Sequence, residues 1–317
     1  MKVLASLLAL FVCVAQAQTY PARPIRFIVP DGPGSVGDLR ARQVGAKLSE
    51  NLGQPVVIDN RPGGSFMVGS AEAAKAAPDG YTIFLGSIVT HSLNPLLFKS
   101  LTYRPNEDFQ PVTMLSAGVL VLVVHPSVKA RTLHELIAIG KTEPDKLAYA
   151  AVGRGGPSHL AMEQLKSITG AKFLFVPYKS SGTYVQDLVG GHMPVALNYW
   201  STLGPHIKSG KLRALGVASP RRLEAAPDIP TFEEAGVRGV DGYGWQGIFV
   251  PAGTPRAIVL KLQGEIARAI NAPEIRSQLV ETGTEIGGNS PEEFGAMIRR
   301  DQEKWKKLAA DAGITPE

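Results

Sequence analysis

Short apolar runs alternate with segments whose apolar residues recur every three or four positions along most of this 317-residue chain. Residues 24–29, 55–59, 81–85, 119–124, 146–150, 173–177, 195–199 and 212–217 are short, rich in β-branched and aromatic residues and bounded by turn residues, so they predict mostly buried strands. Between them lie helices with recognisable ends. Ala41, Val44, Leu48 and Leu52 form one apolar face, which Asp38 is placed to cap and Gly53 to end. Thr132 with Glu135 makes a capping box, Ser158 is placed to cap a helix running to Gly170, and Ser290 with Glu293 makes a second box with Pro291 at the first helical position. Strand–helix alternation predicts an α/β fold with parallel sheets covered by helices on both faces.

The first residues stand outside this pattern. Met1-Lys2, an apolar stretch from Val3 to Ala15 and the small residues Ala15 and Ala17 predict a signal peptide over residues 1–17, so that Gln18 opens the mature chain and export to the periplasm follows. The single cysteine, Cys13, falls inside it, preceded by Val12 where lipidation needs a small residue. The mature chain then has no thiol for a disulfide, a nucleophile or a metal site.

Composition changes the picture only a little. With 44% hydrophobic and 19% charged residues the chain can build two sizeable cores without metal or disulfide support. Its net charge of +5, from 33 basic and 28 acidic residues spread along the chain, does not point to nucleic acid.

Chemistry in such a fold belongs in loops at the carboxyl ends of strands. Two loops stand out. Residues 30–38, Pro-Asp-Gly-Pro-Gly-Ser-Val-Gly-Asp, run from the first strand straight into a helix, and residues 153–159, Gly-Arg-Gly-Gly-Pro-Ser-His, do the same in the second half. Glycines let backbone N–H groups approach an oxyanion, and a helix N-terminus adds positive potential. One such loop in each half suits a cleft that grips a small anion from two sides. Either loop alone is equally readable as a tight turn, and His159 as a ligand donor, a catalytic base or a packed first-turn histidine. Neither loop has phosphate-loop or dinucleotide spacing, no Gly-x-Ser-x-Gly or His-Glu-x-x-His is present, and His91, His125 and His159 are too scattered for a zinc signature. No cofactor, metal or catalytic residue is therefore expected. Trp245, in Gly242-Tyr243-Gly244-Trp245-Gln246-Gly247, reads as core or hinge packing.

Ten segments in order carry a resemblance across nearly the whole mature chain: YPARPI at 20–25, PGSVGD at 33–38, DNRPG at 59–63, PDGYT at 78–82, DFQPV at 108–112, SHLA at 158–161, VPYK at 176–179, GKLRAL at 210–215, PTFEEAG at 230–236 and PAGTP at 251–255. In these the chain resembles the Bug-type extracytoplasmic solute receptors of tripartite tricarboxylate transporters. The resemblance implies a type II periplasmic binding protein, a Venus flytrap whose two lobes close on a small carboxylate and deliver it to the membrane subunits of a transporter. It implies a monomeric receptor, with ligand contacts at Gly34, Ser35 and Asp38 in the first loop. Ser87, Thr90 and His91 follow after the third strand, then Gly153, Gly155, Gly156, Ser158 and His159 in the second loop, and Asn198 at a position that tunes specificity. Asp31 and Arg154 depart from the family pattern, and Ser65-Phe66 replaces a glycine pair. Asp31 either pairs with a ligand amine or with Arg154, which would place a zwitterion in the cleft, or it points to solvent or caps its own loop.

The expected division is a discontinuous first lobe of residues 18–122 and 246–317 and a second lobe of 123–245, with hinge strands near 121–124 and 245–250. The alternatives are a sensor that docks on a signalling partner, and a periplasmic hydrolase or isomerase using His159 and Asp38 as acid and base.

Overall fold

The computed structural model describes residues 20–311 except 153–155, 179, 180 and 241, together with 313, 315 and 316. The signal-peptide expectation for residues 1–17 lies outside the described residues. The chain runs β1 (Ile25–Val29), α1 (Val36–Leu52), β2 (Val56–Asn60), α2 (Met67–Ala74), β3 (Thr82–Ser87), a π-helical turn (Val89–Leu93), α3 (Asn94–Leu97) and β4 (Phe109–Val124). It continues through α4 (Leu133–Thr142), β5 (Ala148–Val152), α5 (Pro157–Thr169), β6 (Leu174–Tyr178), α6 (Ser181–Val189), β7 (Val195–Tyr199), α7 (Trp200–Lys208) and β8 (Arg213–Val217). It ends with β9 (Tyr243–Pro251), α8 (Arg256–Ile270), α9 (Pro273–Glu281), β10 (Thr284–Ile286) and α10 (Pro291–Asp311). Among the described residues no helix is long and apolar enough to cross a membrane.

β4 organises the molecule. Its residues from Phe109 to Val119 pair antiparallel with β9, and Ser116 to Gly118 also pair with β10. From Leu120 to Val124 the same strand pairs instead with β7 and β8. On the β9 side the order continues to β3, β1 and β2, the last two parallel to β3, while β7 leads on to β5 and β6. Two half-sheets thus share one strand, and each has its own apolar layers. In the first, α1 and α8 pack Ala41, Val44, Leu48, Val259, Leu262 and Ile266 on one face, while α2 and α10 cover the other with Ala73, Phe294, Ile298 and Trp305. In the second, α4 and α5 cover one face and α6 and α7 the other. Leu160 of α5 packs into the layer of α10, so the two halves touch beside the shared strand. This is the α/β, two-lobed architecture expected, but the sheets are mixed rather than parallel, because β4 and β9 run antiparallel to the strands they pair with.

The sequence signals mark most ends correctly. Gly53 adopts φ 66° as the C-cap of α1, and Gly170 adopts φ 73° after α5. The capping boxes form at Thr132 and Ser290, each hydroxyl accepting the amide of the glutamate three residues on. Two caps differ. Ser35, not Asp38, caps α1, because its hydroxyl accepts the Asp38 amide and frees the Asp38 carboxylate for other donors. Gly156, not Ser158, caps α5, because Pro157 has no N–H to satisfy and its fixed φ suits the first helical position.

Candidate functional site

The loop from β1 to α1 is fastened from within. Gly34 takes φ 81°, which favours glycine, and its amide donates to Oδ2 of Asp38 at 2.8 Å. Nε of Arg42 donates to the same oxygen at 2.9 Å, and Asn60 at the end of β2 donates to Oδ1 at 3.0 Å. The Asn60 amide also reaches the Asp31 carbonyl, and Arg42 donates to the Asn60 side-chain oxygen, closing a ring around the carboxylate. Asp38 is only 2% exposed. The Arg42 guanidinium, aided by the Gly34 and Asn60 donors and opposed by burial, holds its pKa down at about 2. Arg42 lies four residues after Asp38, so the pair was visible as opposite charges at helical spacing; Asn60 comes from a different strand.

With Asp38 and its donors turned inward, the first-turn amides of Val36 and Gly37 have no partner among the described residues and lie at the carboxyl end of β1. Gly37 packs closely on the sheet: a β-carbon there would stand 3.3 Å from both Nε2 of Gln246 and a methyl of Leu85. Asp31 caps its own loop, accepting the Gly32 amide at 2.8 Å, as one of the two expected alternatives has it. Gly34 and Ser35 are likewise engaged, the Ser35 amide donating to the Gly32 carbonyl. The second loop is seen in part. Gly153, Arg154 and Gly155 lie outside the described residues, whereas Gly156 and Ser158 are partly exposed at the start of α5. Asn198, at the end of β7, is buried and accepts the Tyr199 amide.

Three expected contact residues face the interior. Thr90 is buried, its hydroxyl donating to the Ser87 carbonyl and accepting the Ser87 amide, whereas Ser87 is partly exposed. His91 is 1% exposed and stacks on Phe249 at 3.8 Å between ring centres, with Phe109 and Trp245 around it. His159 is 2% exposed and packs against Phe175 and Tyr149, with Glu163 at 3.9 Å. His91 and His159 are thus turned by helical phase toward aromatic layers that no local motif reveals. Trp245 is core, as expected, its indole donating to Asp301 at 2.6 Å.

Burial pushes the His91 pKa down to about 3. The unfolded chain therefore binds a proton near pH 6.5 that the folded chain refuses, so stability falls as pH drops from about 6.5 toward 3. His91→Phe, which keeps the stacking and removes an Nε2 with no partner, is expected to flatten that decline in thermal melts taken across this range. An unchanged slope would place the pH sensitivity elsewhere.

Among the described residues no cluster of three or more His, Cys, Asp or Glu is arranged to hold a metal ion. What remains is a set of fixed backbone donors at one helix start and, across the shared strand, the Gly156 start of a second helix.

Comparison with known proteins agrees with this geometry. A family model described as the tripartite tricarboxylate transporter family receptor matches residues 40–314. BugT of Bordetella pertussis is 35% identical over 302 residues, which cover 94% of this chain and 91% of that protein. A protein of R. palustris solved with adipate superposes with a TM-score of 0.82 at 32% identity, covering 94% of this chain and 100% of the other. MatC from Rhodopseudomonas palustris, solved with bound malate, gives 0.76 at 29% identity, covering 91% and 99%.

Proposed function

The chain belongs to the tripartite tricarboxylate transporter receptor family, whose members are binding proteins rather than enzymes, and on that premise we propose that it is a periplasmic receptor for a small carboxylate. The observation that carries this reading is the pair of unpartnered amides of Val36 and Gly37, held in place by the buried Asp38 ring. A carboxylate accepts two such donors without losing their orientation, and the N-terminal potential of α1 adds to the attraction. Malate and adipate bound to relatives of the same fold support the class of ligand.

The lobes would divide where β4 changes partners, at Val119–Leu120, and where the return strand enters β9 at Gly242–Tyr243, three residues earlier on each strand than the sequence suggested. Gly118 and Gly244 sit face to face at this crossing beside Tyr199, whose hydroxyl oxygen a β-carbon on Gly244 would meet at 1.9 Å and whose ring it would meet at 2.7 Å. Closure about these strands would bring the Gly156–Ser158 end of α5 onto the ligand and present a closed face to transporter subunits in the membrane.

A thermal-shift screen of the mature protein against mono-, di- and tricarboxylates, amino acids and aromatic acids tests the reading. A true ligand at ~100 times its dissociation constant is expected to add roughly 2.7 kcal/mol of stability and to be recovered chemically unchanged. No shift with any carboxylate, after unfolding and refolding to strip bound material, sinks it.

A further inference from the structure

Arg40 follows Gly37 by three residues on α1, so the two share a helix face, and that face meets the sheet where Ser116 of β4 and Gln246 of β9 stand in register. One guanidinium nitrogen of Arg40 donates to the hydroxyl of Ser116, which is itself buried. Neighbouring arginines all have acids: Arg26 pairs with Asp59 and Glu72, Arg42 with Asp38, and Arg61 with Asp59. Arg40 pairs with no carboxylate among the described residues, and burial pulls its pKa down to about 10, leaving it a cation at neutral pH with a neutral partner. A largely desolvated cation without an anion is costly, and proteins keep one where something else supplies the anion.

Gln246 adds a donor in the same place, its side-chain Nε2 lying beside Gly37. Asp31 approaches Gly37 from the loop, but it is held by the Gly32 amide and forms no ion pair with Arg40. The groups that converge here, the Arg40 guanidinium, the Ser116 hydroxyl, the Gln246 amide and the Gly37 N–H, all carry donors.

We propose that Arg40, assisted by Gln246 and Ser116, binds a second anionic group of the ligand and makes this receptor selective for dianionic acids over monoanions of the same chain length. The inference rests on the receptor reading above. The Val36 and Gly37 amides take one carboxylate, and Arg40, about one helical turn or ~5 Å further along α1, takes the other, a separation that suits a short diacid. A planar guanidinium matches a carboxylate with two parallel hydrogen bonds, which an ammonium cannot reproduce.

The test compares succinate, glutarate and adipate with butyrate, valerate and hexanoate by calorimetry and thermal shift on the mature protein. The wild type is expected to prefer diacids. Arg40→Leu is expected to weaken the preferred diacid about 10- to 100-fold, as the loss of a charge-assisted contact does, and to leave the monoacid within about twofold. The ligand-free variant should also melt higher than the wild type, because the unpaired charge is gone, whereas removal of a structural arginine would lower the melting point. Arg40→Lys should fall between them in diacid affinity. If carboxylates bind but Arg40→Leu and Arg40→Lys leave the diacid preference intact, or weaken both acid classes equally, the role of Arg40 is overturned and the receptor reading stands. If no carboxylate binds the wild type, the receptor reading falls and this inference falls with it.

Discussion

Gly287→Ala is expected to lower the stability of the protein by about 3 kcal/mol or more, enough to reduce the folded yield at 37 °C. A β-carbon at this position would stand 1.9 Å from the carbonyl oxygen of Met114, 2.5 Å from its carbonyl carbon and 3.1 Å from the carbonyl carbon of Leu115. All three are backbone atoms of β4. A flexible side chain could swing aside, but this strand is held by β9 on one edge and β10 on the other, and the Gly287 and Gly288 amides donate to the Leu115 and Met114 carbonyls. Relief therefore means breaking those hydrogen bonds and moving the strand that joins the two lobes. Gly287 has no positive φ, so the effect is one of space alone. Gly264, in the middle of α8 with nothing within 4 Å of a built β-carbon, is the control. Alanine there is expected to be tolerated or to stabilise by up to ~1 kcal/mol through helix propensity. Urea unfolding of the two variants checks the contrast, and a Gly287→Ala protein within 1 kcal/mol of wild type would contradict it.

Asp38→Ala is expected to have the second-largest effect, and the largest on binding. It removes the acceptor shared by Gly34, Asn60 and Arg42 and leaves the Gly34 amide and one Asn60 N–H without that partner. A loss of about 3 kcal/mol in stability follows from hydrogen bonds to a buried charged group. Carboxylate affinity should fall by more than about tenfold, because the loop that orients the Val36 and Gly37 amides is no longer fixed. Asp38→Asn separates charge from shape. The folded pKa of Asp38, about 2, lies below the ordinary 3.8, so on acidification the unfolded chain takes up the proton first. The stabilising contribution is complete above pH 3.8 and is lost as pH falls through about 2. The melting-temperature gap between wild type and Asp38→Asn should therefore be constant above about pH 5 and close toward pH 2. A gap of the same size at pH 2 would show that the charge is not what holds the loop.

Much of the architecture was legible along the chain. All eight strands read from apolar runs are present, seven of them within a few residues at both ends, and the helix ends at Gly53, Thr132, Gly170 and Ser290 are set by residues within one turn. The first half of β4 was harder to read, because two register shifts break its alternation around Thr113 and Leu115. β9 carries glycines at 244 and 247 that weaken its strand signal. They are there because Tyr199 and Phe294, both distant in sequence, occupy the space a β-carbon would need. β10 has only three residues and no pattern to find.

The sequence by itself determined the alternation of strands and helices, the glycine-rich helix starts at 30–38 and 153–159, and the family to which those segments belong, because periodicity, capping and turn chemistry act over a few neighbouring residues. Only the tertiary structure decided that β4 serves both half-sheets, that His91 and His159 turn into aromatic layers, and that Asp38 is a buried fastening for its loop. It alone set Arg40 against Ser116, opposite Gln246, with no acid to pair it among the described residues. Burial, the loss of water around a charge, and the partners left to satisfy it depend on segments that meet only when the chain folds, Ser116 lying 76 residues from Arg40, and local patterns carry no record of those meetings.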